Sequence, residues 1–183
     1  MKLIVAISGA SGVEYAVDLL KALKEAKAEI HLVVSEWAEK LIEEETNYNV
    51  KEVKKLAGFV YENKDMSASI CSSSFLVDGM IVIPASVKTV SEIATAHCGN
   101  LISRAADSML RTRKKLIVCV RETPLSAPTL KNLYRISLYG GIIFPLSPAF
   151  YHKPKNLKGI RNFITGKTLD LIGIPNKKFK RWA

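Results

Sequence analysis

The sequence predicts an α/β protein, a three-layer α/β/α sandwich built on a mostly parallel sheet. Short apolar, β-branched runs, typical of strands buried in parallel sheets, alternate with stretches of helical periodicity along the chain. The first run breaks directly into a turn of small residues ahead of a helix, as β-to-α connections do. No repeat, low-complexity segment or linker interrupts the 183 residues. We therefore expect one domain spanning residues 1–183.

Each predicted element has a local cause. Apolar runs predict five strands: Lys2–Ile7, Glu29–Val34, Met80–Ile83, Leu116–Val120 and Ile142–Phe144. Apolar residues at helical spacing predict six helices: Val13–Lys24, Glu36–Glu45, Lys51–Leu56, Leu101–Arg113, Leu130–Tyr139 and Ile160–Ile172. Pro84 and Pro145 are expected to end strands, and Gly140 and Gly141 to close a helix. The stretch between Leu56 and Ser74 is predicted to be irregular.

The net charge of +10 is concentrated toward the C-terminus. Residues 1–70 carry 9 basic and 12 acidic side chains, whereas residues 153–183 carry 9 basic and one acidic. Such a basic segment attracts an acidic partner, a phosphorylated small molecule or nucleic acid, or is simply a solvated tail. The chain contains no recognisable nucleic-acid-binding module, so we do not predict that nucleic acid is a partner.

The three cysteines and the hydropathy pattern favour a cytoplasmic protein. Cys71, Cys98 and Cys119 are odd in number and lack CxxC spacing, so neither a disulfide framework nor a zinc site is predicted. No apolar run reaches the roughly 18 residues that a membrane-spanning helix needs. The apolar run at the N-terminus is too short for the core of a signal peptide.

The turn after the first strand, Ser8–Gly12, predicts an anion site. Its small residues let backbone amides approach a ligand, and the helix that follows points its positive end at the same place. The spacing is not the full GxGxxG pattern, so a tight turn without a ligand remains the alternative.

Polar residues also follow the other predicted strands. They are Ser35, the segment 84–89, the segment 121–124 and the segment 145–152. Because the carboxyl ends of parallel strands share one sheet edge, hydroxyls, an arginine, a lysine and a glutamate should converge there. That convergence predicts a ligand with a phosphate attached to a polar ring system.

The same segments carry a resemblance to a known family. The stretches ISGASG, PASVKT followed by Ser91, LISRAAD, VCVRETPLS, PAFYH and the pair Arg181-Trp182 span nearly the whole chain in order. They resemble the UbiX-type flavin prenyltransferases. The resemblance implies a flavodoxin-like or Rossmann-like sandwich, assembled as a homododecamer. It implies transfer of a dimethylallyl group from dimethylallyl monophosphate to N5 and C6 of reduced FMN. The prenylated FMN would serve a UbiD-type decarboxylase in quinone synthesis or aromatic acid breakdown.

The resemblance also implies roles for individual residues. FMN would contact Gly9, Ala10, Ser11, Ser35, Ser86, Val87, Lys88, Thr89 and Arg121. The prenyl phosphate would be held by Arg104, Arg111, Tyr151 and Lys167, some of them from a neighbouring subunit. Glu45 and Glu122 would be the acidic residues of the site, and Trp182 an aromatic wall. Arg111 stands where many members have lysine and Lys167 where many have arginine, which keeps the charge but changes donor geometry.

These roles suit the chemistry of prenyl transfer. Cationic side chains stabilise the negative charge that develops on a leaving phosphate. Aspartates after residue 70 are scattered singly rather than clustered in a magnesium motif, so we predict a metal-free site. An aromatic face such as Trp182 stabilises a cation-like allyl fragment. Ring closure at C6 releases a proton, and Glu122 is the predicted acid/base.

Several residues have competing structural interpretations. Arg104 is placed to pair with Asp107 on the surface of a helix. Arg111 and Glu45 lie at helix ends, where their charged side chains can be solvated without any role in a site. Trp182 lies close to the C-terminus, where the alternative is a loosely ordered tail. Trp37 is predicted to serve packing or an interface, and the histidines are predicted to be structural or surface residues: His31, His97 and His152.

Two other functions remain open. One is an FMN-dependent decarboxylase of small aromatic or thiol acids, and the other a flavin carrier without chemistry. The PAS motif followed by Thr89 also resembles the PASANT motif of cysteine-decarboxylating flavoproteins. Residues 65–70 lack the histidine of those enzymes, and residues 121–126 lack their PxMNxxMW motif, so that route is not predicted.

Overall fold

The computed structural model describes residues 1–182, which contain one six-stranded parallel sheet of order β3-β2-β1-β4-β5-β6. Its strands are β1 (Lys2–Ile7), β2 (Glu29–Val34), β3 (Phe59–Glu62), β4 (Gly79–Ala85), β5 (Lys115–Val120) and β6 (Ile142–Ile143). In the same residues the helices are α1 (Val13–Glu25), α2 (Glu36–Glu45), α3 (Val50–Lys54), α4 (Val87–Ala94), α5 (Leu101–Arg111), α6 (Ala127–Leu138) and α7 (Leu157–Ile172). None of these helices is both long and apolar enough to cross a membrane.

Two apolar cores cover the two faces of the sheet and confirm the predicted three-layer sandwich. Leu3 and Val5 of β1 face a core that includes α1, α2 and α7, whereas Ile4 and Ala6 face a core formed with α4, α5 and α6. Successive strand residues thus point to opposite layers, as the two-residue period of a strand requires. Because both faces are covered, the inner strands read as continuous apolar runs.

The structure contains two elements that the sequence analysis did not predict, β3 and α4. β3 is a four-residue edge strand, FVYE, and its Phe59 and Val60 are exposed. So short an apolar run was not recognised as a strand. α4 lies in a segment interpreted as a loop. The Ser86 hydroxyl caps this helix, and only one narrow stripe, including Val90 and Ile93, is buried. An eight-residue helix offers too few turns for its periodicity to stand out.

The C-terminal third is tied to the sandwich by charge as well as by apolar packing. Arg161 of α7 donates to Asp18 of α1 at 2.7 Å and also pairs with Glu14. Beyond α7, the Arg181 guanidinium donates two hydrogen bonds to Asp170, at 2.8 and 2.7 Å, which lowers the pKa of that carboxyl. Part of the basic segment is therefore paired within the chain rather than fully solvated.

Ser8 joins the loops that follow β1 and β4, where the strand order reverses. Its hydroxyl donates to the Pro84 carbonyl at 2.9 Å and accepts the Ser86 N–H at 2.8 Å, while the side chain is only 1% exposed. The Ser8 N–H also donates to the Pro84 carbonyl, at 3.2 Å. These bonds fix the crevice between adjacent strands in which such sheets bind ligands.

Replacing the Ser8 hydroxyl should therefore lower the free energy of unfolding. Ser8→Ala removes the buried hydrogen bond to the Pro84 carbonyl and the acceptor of the partly buried Ser86 N–H, and we expect the free energy of unfolding to fall by about 1–3 kcal/mol. Urea denaturation at one fixed protein concentration measures the change. Ser137→Ala, at an exposed position of α6, is the matched control and should shift stability by no more than about 0.5 kcal/mol. Equal midpoints for the two variants would contradict the assigned role of Ser8.

Candidate active site

A cavity of about 780 Å³ lies at the carboxyl edge of the sheet. The loops after β1, β2, β4 and β5 all contribute to its wall. The lining includes all nine residues predicted to contact FMN, namely Gly9, Ala10, Ser11, Ser35, Ser86, Val87, Lys88, Thr89 and Arg121, together with Glu122. The convergence expected from parallel topology is therefore present for four of the five predicted segments, whereas the segment 145–152 does not line the cavity.

The turn after β1 is shaped by two glycines. A Cβ added to Gly9 would lie 2.7 Å from the Trp37 Cβ, so only glycine permits this approach of β1's turn to α2. Gly12 begins α1 with φ of +98°, a conformation that favours glycine. Its N–H donates to the Glu45 carboxylate at 2.7 Å. Glu45 thus stabilises the turn by accepting this N–H, but it is not among the residues that line the cavity.

Three helices point their N-termini at the cavity. Ser35, Ser86 and Asn100 are the N-cap residues of α2, α4 and α5, and each accepts a hydrogen bond from a backbone N–H of the first helical turn. All three residues line the cavity. Because helix N-termini carry partial positive charge and unpaired N–H groups, this wall is suited to bind an anion such as a phosphate.

Arg121 connects the loops of three strands. Its Nε donates to the Ser11 carbonyl at 3.0 Å, and its backbone N–H donates to the Ala85 carbonyl at 3.3 Å. The neighbouring Glu122 is exposed, and one carboxylate oxygen accepts the Thr123 N–H at 2.9 Å. A fixed guanidinium and an accessible carboxylate therefore lie next to each other on the wall.

From the chemistry of prenyl transfer we expected a cation-rich pocket, but the lining of this cavity carries more acidic than basic side chains. Its ionisable lining comprises three basic and five acidic residues other than histidine, namely Lys64, Lys88, Arg121, Glu36, Glu39, Glu62, Glu92 and Glu122. Glu92 is 11% exposed at its side chain, accepts from the Lys88 ammonium at 2.6 Å and from the Asn100 amide at 2.9 Å. Within residues 1–182, no group of three His, Cys, Asp or Glu side chains is placed to hold a metal ion.

The four residues predicted to hold the prenyl phosphate do not line this cavity. Arg104 and Arg111 both pair with Asp107 on α5, at 3.5 and 2.7 Å, which is the ion pair foreseen as the alternative for Arg104. Arg111 lines a second cavity of about 570 Å³, with Arg113 and Arg135. The described chain by itself therefore does not bring these cations to the predicted FMN site.

Tyr151, Lys167 and Trp182 also lie outside the lining. The Tyr151 ring packs edge-on against Trp182, with 5.4 Å between ring centroids, and against Phe163 at 6.0 Å. Trp182 is nevertheless 78% exposed, and Lys167 lies half-buried on α7. Tyr151, Phe163 and Trp182 thus form an aromatic cluster apart from the FMN cavity, and Lys167 lies on the same helix as Phe163.

Many lining residues were not identified as site residues from the sequence, among them Trp37, Glu92, His97 and Asn100. Trp37 was predicted to serve packing or an interface, yet it is 68% exposed and lines the cavity. The only sequence signal for it was its position two residues after Ser35. The prediction that His31 is structural holds, because its ring is buried between Tyr61 and Glu29, at 2.8 and 2.9 Å.

The residues present fit a flavin nucleotide. The cavity volume falls within the range of sites for ligands of that size. A glycine turn and three helix N-termini suit the phosphate, and an exposed indole stands on a wall that also carries the apolar residues Leu41 and Ile102.

Comparisons with known proteins agree with this fit. The family model described as Flavoprotein matches residues 1–156. A flavin prenyltransferase UbiX of Methanocaldococcus jannaschii is 47% identical over 183 residues, covering 100% of this chain and 99% of that protein. The crystal structure of AnUbiX in complex with FMN and dimethylallyl pyrophosphate superposes with a TM-score of 0.98 at 41% identity, covering 100% of this chain and 97% of that one.

A dodecameric FMN-dependent UbiX-like decarboxylase from Escherichia coli O157:H7 also has a TM-score of 0.98 at 41% identity, and each chain covers 100% of the other. The similarity therefore extends over the full sandwich and the C-terminal helix. The chain belongs to the flavoprotein family and, within it, to the UbiX-type flavin prenyltransferases.

Proposed function

We propose that this chain joins the dimethylallyl group of dimethylallyl monophosphate to N5 and C6 of reduced FMN, and that the prenylated FMN is used by a UbiD-type decarboxylase. The observation that carries the proposal is the convergence of nine expected FMN contacts and Glu122 on one cavity. The names of relatives at 40–47% identity support the same activity. The three free cysteines support a cytoplasmic location.

In the proposed complex, the protein binds the ribityl phosphate through backbone and hydroxyl groups. The N-termini of α2 and α4, with Ser35, Ser86 and Thr89, supply donors for the phosphate. Arg121 adds a fixed positive charge because the Ser11 carbonyl holds its Nε. FMN, when bound in its reduced form, supplies the two nucleophilic ring positions.

The allylic phosphate is proposed to bind between copies of the chain. Tyr151, Lys167, Arg104 and Arg111 are all on surfaces outside the FMN cavity of their own chain. A neighbouring copy in a homododecamer would bring such cations to the cavity without any change of fold. The E. coli protein with a TM-score of 0.98 is named as dodecameric, which supports this assembly. Positive charge around the departing phosphate lowers the barrier for its release.

Two glutamates have separable proposed roles. Glu122 is accessible at the cavity and is the group that we propose takes the proton released on ring closure. Glu45 is held by the Gly12 N–H, where it fixes the turn that carries Ser11. Trp182 would form the aromatic wall around the allyl group, again across a subunit boundary.

A second candidate function is an FMN-dependent decarboxylase, which the name of the E. coli protein favours. The two activities give different products: a prenylated flavin in one case and carbon dioxide in the other. A flavin carrier would give neither product.

The first prediction for the proposed function separates the three candidate functions directly. Incubated without oxygen with reduced FMN and dimethylallyl monophosphate, the protein should yield a flavin heavier by one C5 unit, detected by mass spectrometry. The same protein, given small aromatic acids, should release no carbon dioxide unless a UbiD-type enzyme is added. Release of carbon dioxide by the protein alone would favour the decarboxylase, and bound but unchanged FMN would favour the carrier.

The second prediction concerns Glu122. Glu122→Gln should lower the turnover of the prenylation by about 100-fold or more because the neutral amide cannot accept the proton. FMN affinity, measured by ultrafiltration, should stay within about twofold because Glu122 is not proposed to hold the phosphate. Glu62→Gln, at another acidic lining residue, is the control for a change of cavity charge alone. Equal losses in the two variants would argue against a specific proton acceptor.

The third prediction tests the shared site. Lys167→Ala and Glu122→Gln should each inactivate the uniform assembly. Assemblies that contain both variants, produced by co-expression, should regain part of the wild-type activity because some cavities combine an intact Glu122 with an intact Lys167 from a neighbour. Activity no higher than the sum of the two variants would place both residues in the same chain's site.

A further inference from the structure

Most of the surface of the Trp37 side chain is not covered by other residues of its own chain. The side chain lines the cavity and is 68% exposed, although an indole is among the most favourable groups to bury. It belongs to the first turn of α2, two residues after the N-cap Ser35. Gly9 and Ala10 lie nearby in the lining, as do Glu36, Glu39 and Leu41 of α2, and the indole is the largest apolar side chain of the lining.

Two contacts hold the indole in place. Its base packs against Gly9, where an added Cβ would lie 2.7 Å from the Trp37 Cβ. The Lys40 ammonium, one turn further along α2, lies 4.3 Å from the centroid of the ring. Lys40 is not among the residues that line the cavity. The Lys40 ammonium therefore covers one face of the indole, while the indole itself belongs to the cavity wall.

From this geometry we infer that Trp37 is a ligand-binding wall, whose cavity face stacks on the aromatic ring system of the bound flavin. This inference rests on the proposed function, because a flavin must occupy the cavity. A planar tricyclic ring is the part of such a nucleotide that offers a matching apolar face, whereas the phosphate is suited to the helix N-termini. Lys40 orients the indole before the ligand arrives, which reduces the ordering cost of binding.

The test compares three variants by two readouts. Trp37→Leu removes the aromatic face, Trp37→Phe retains a smaller one, and Tyr134→Leu is the matched control at an aromatic residue of α6 that is 63% exposed and lies away from the cavity. The dissociation constant for oxidised FMN is measured by ultrafiltration. The emission of bound FMN is measured in parallel, because indole quenches flavin emission by electron transfer only when the rings are in contact.

We expect Trp37→Leu to weaken FMN binding about tenfold and Trp37→Phe by less, with Tyr134→Leu at the wild-type value. FMN bound to wild type and to Tyr134→Leu should be nearly dark, whereas FMN bound to Trp37→Leu should regain several times the emission. Circular dichroism and native mass should be unchanged, which separates a lost contact from a lost fold or assembly.

Wild-type affinity and equally dark flavin in Trp37→Leu would overturn the inference and leave the proposed function intact. A change of native mass in Trp37→Leu with unchanged affinity would assign Trp37 to an interface between copies and likewise overturn it. Failure of the wild-type protein to bind FMN would overturn the proposed function, and this inference with it.

Discussion

The hydrogen bonds of Ser8 across the boundary between β1 and β4 are the constraint on which the site depends. At this boundary the chain leaves β1 toward β2 and leaves β4 toward β5, so the two loops diverge and open a crevice. The Ser8 hydroxyl, shared between the Pro84 carbonyl and the Ser86 N–H, sets the distance between the loops. Through Ser86 it also sets the N-terminus of α4, and through the adjacent Gly9 it sets the place where α2 approaches. One buried hydroxyl thus couples the N-terminus of α4 to the turn that approaches Trp37 of α2.

The cavity attracts anions by dipoles more than by net charge. Its acidic side chains outnumber its basic ones, yet the N-termini of α2, α4 and α5 direct N–H groups toward the interior. The N-terminus of α1 differs, because the Glu45 carboxylate already accepts from Gly12 there. An incoming phosphate therefore meets donors at α2 and α4 and a fixed carboxylate behind the turn of β1. This asymmetry limits the orientations in which a nucleotide can bind.

The sequence was sufficient to predict the parts of the site that follow directly from chain topology. Once β1, β2, β4 and β5 are recognised as parallel strands, the residues after them are expected to meet at one edge, and the ten site residues predicted after these four strands all line the cavity. The segment 145–152, which was expected to join them, does not. Glu92, His97 and Asn100 were missed because their positions depend on how α4 packs, and α4 was interpreted as a loop. Trp37 was missed for a different reason. A tryptophan on an amphipathic helix reads as a packing residue, and only the close approach of Gly9 shows that it is held outside the core.

The burial of α7 determines where Tyr151 and Lys167 lie, because Lys167 is on α7 and Tyr151 packs against Phe163 of the same helix. Ile164, Leu169 and Ile172 anchor α7 in the core shared with α1, and Arg161 adds ion pairs to the same helix. Each buried aliphatic side chain contributes about 1.5–3 kcal/mol, so moving α7 to the cavity of its own chain would cost far more than one phosphate contact returns. A second copy that presents its own α7 requires no such movement. The stability of the sandwich is thus an argument for the proposed site between chains, in which the cavity would supply the nucleotide-binding wall and the neighbour would supply the cations.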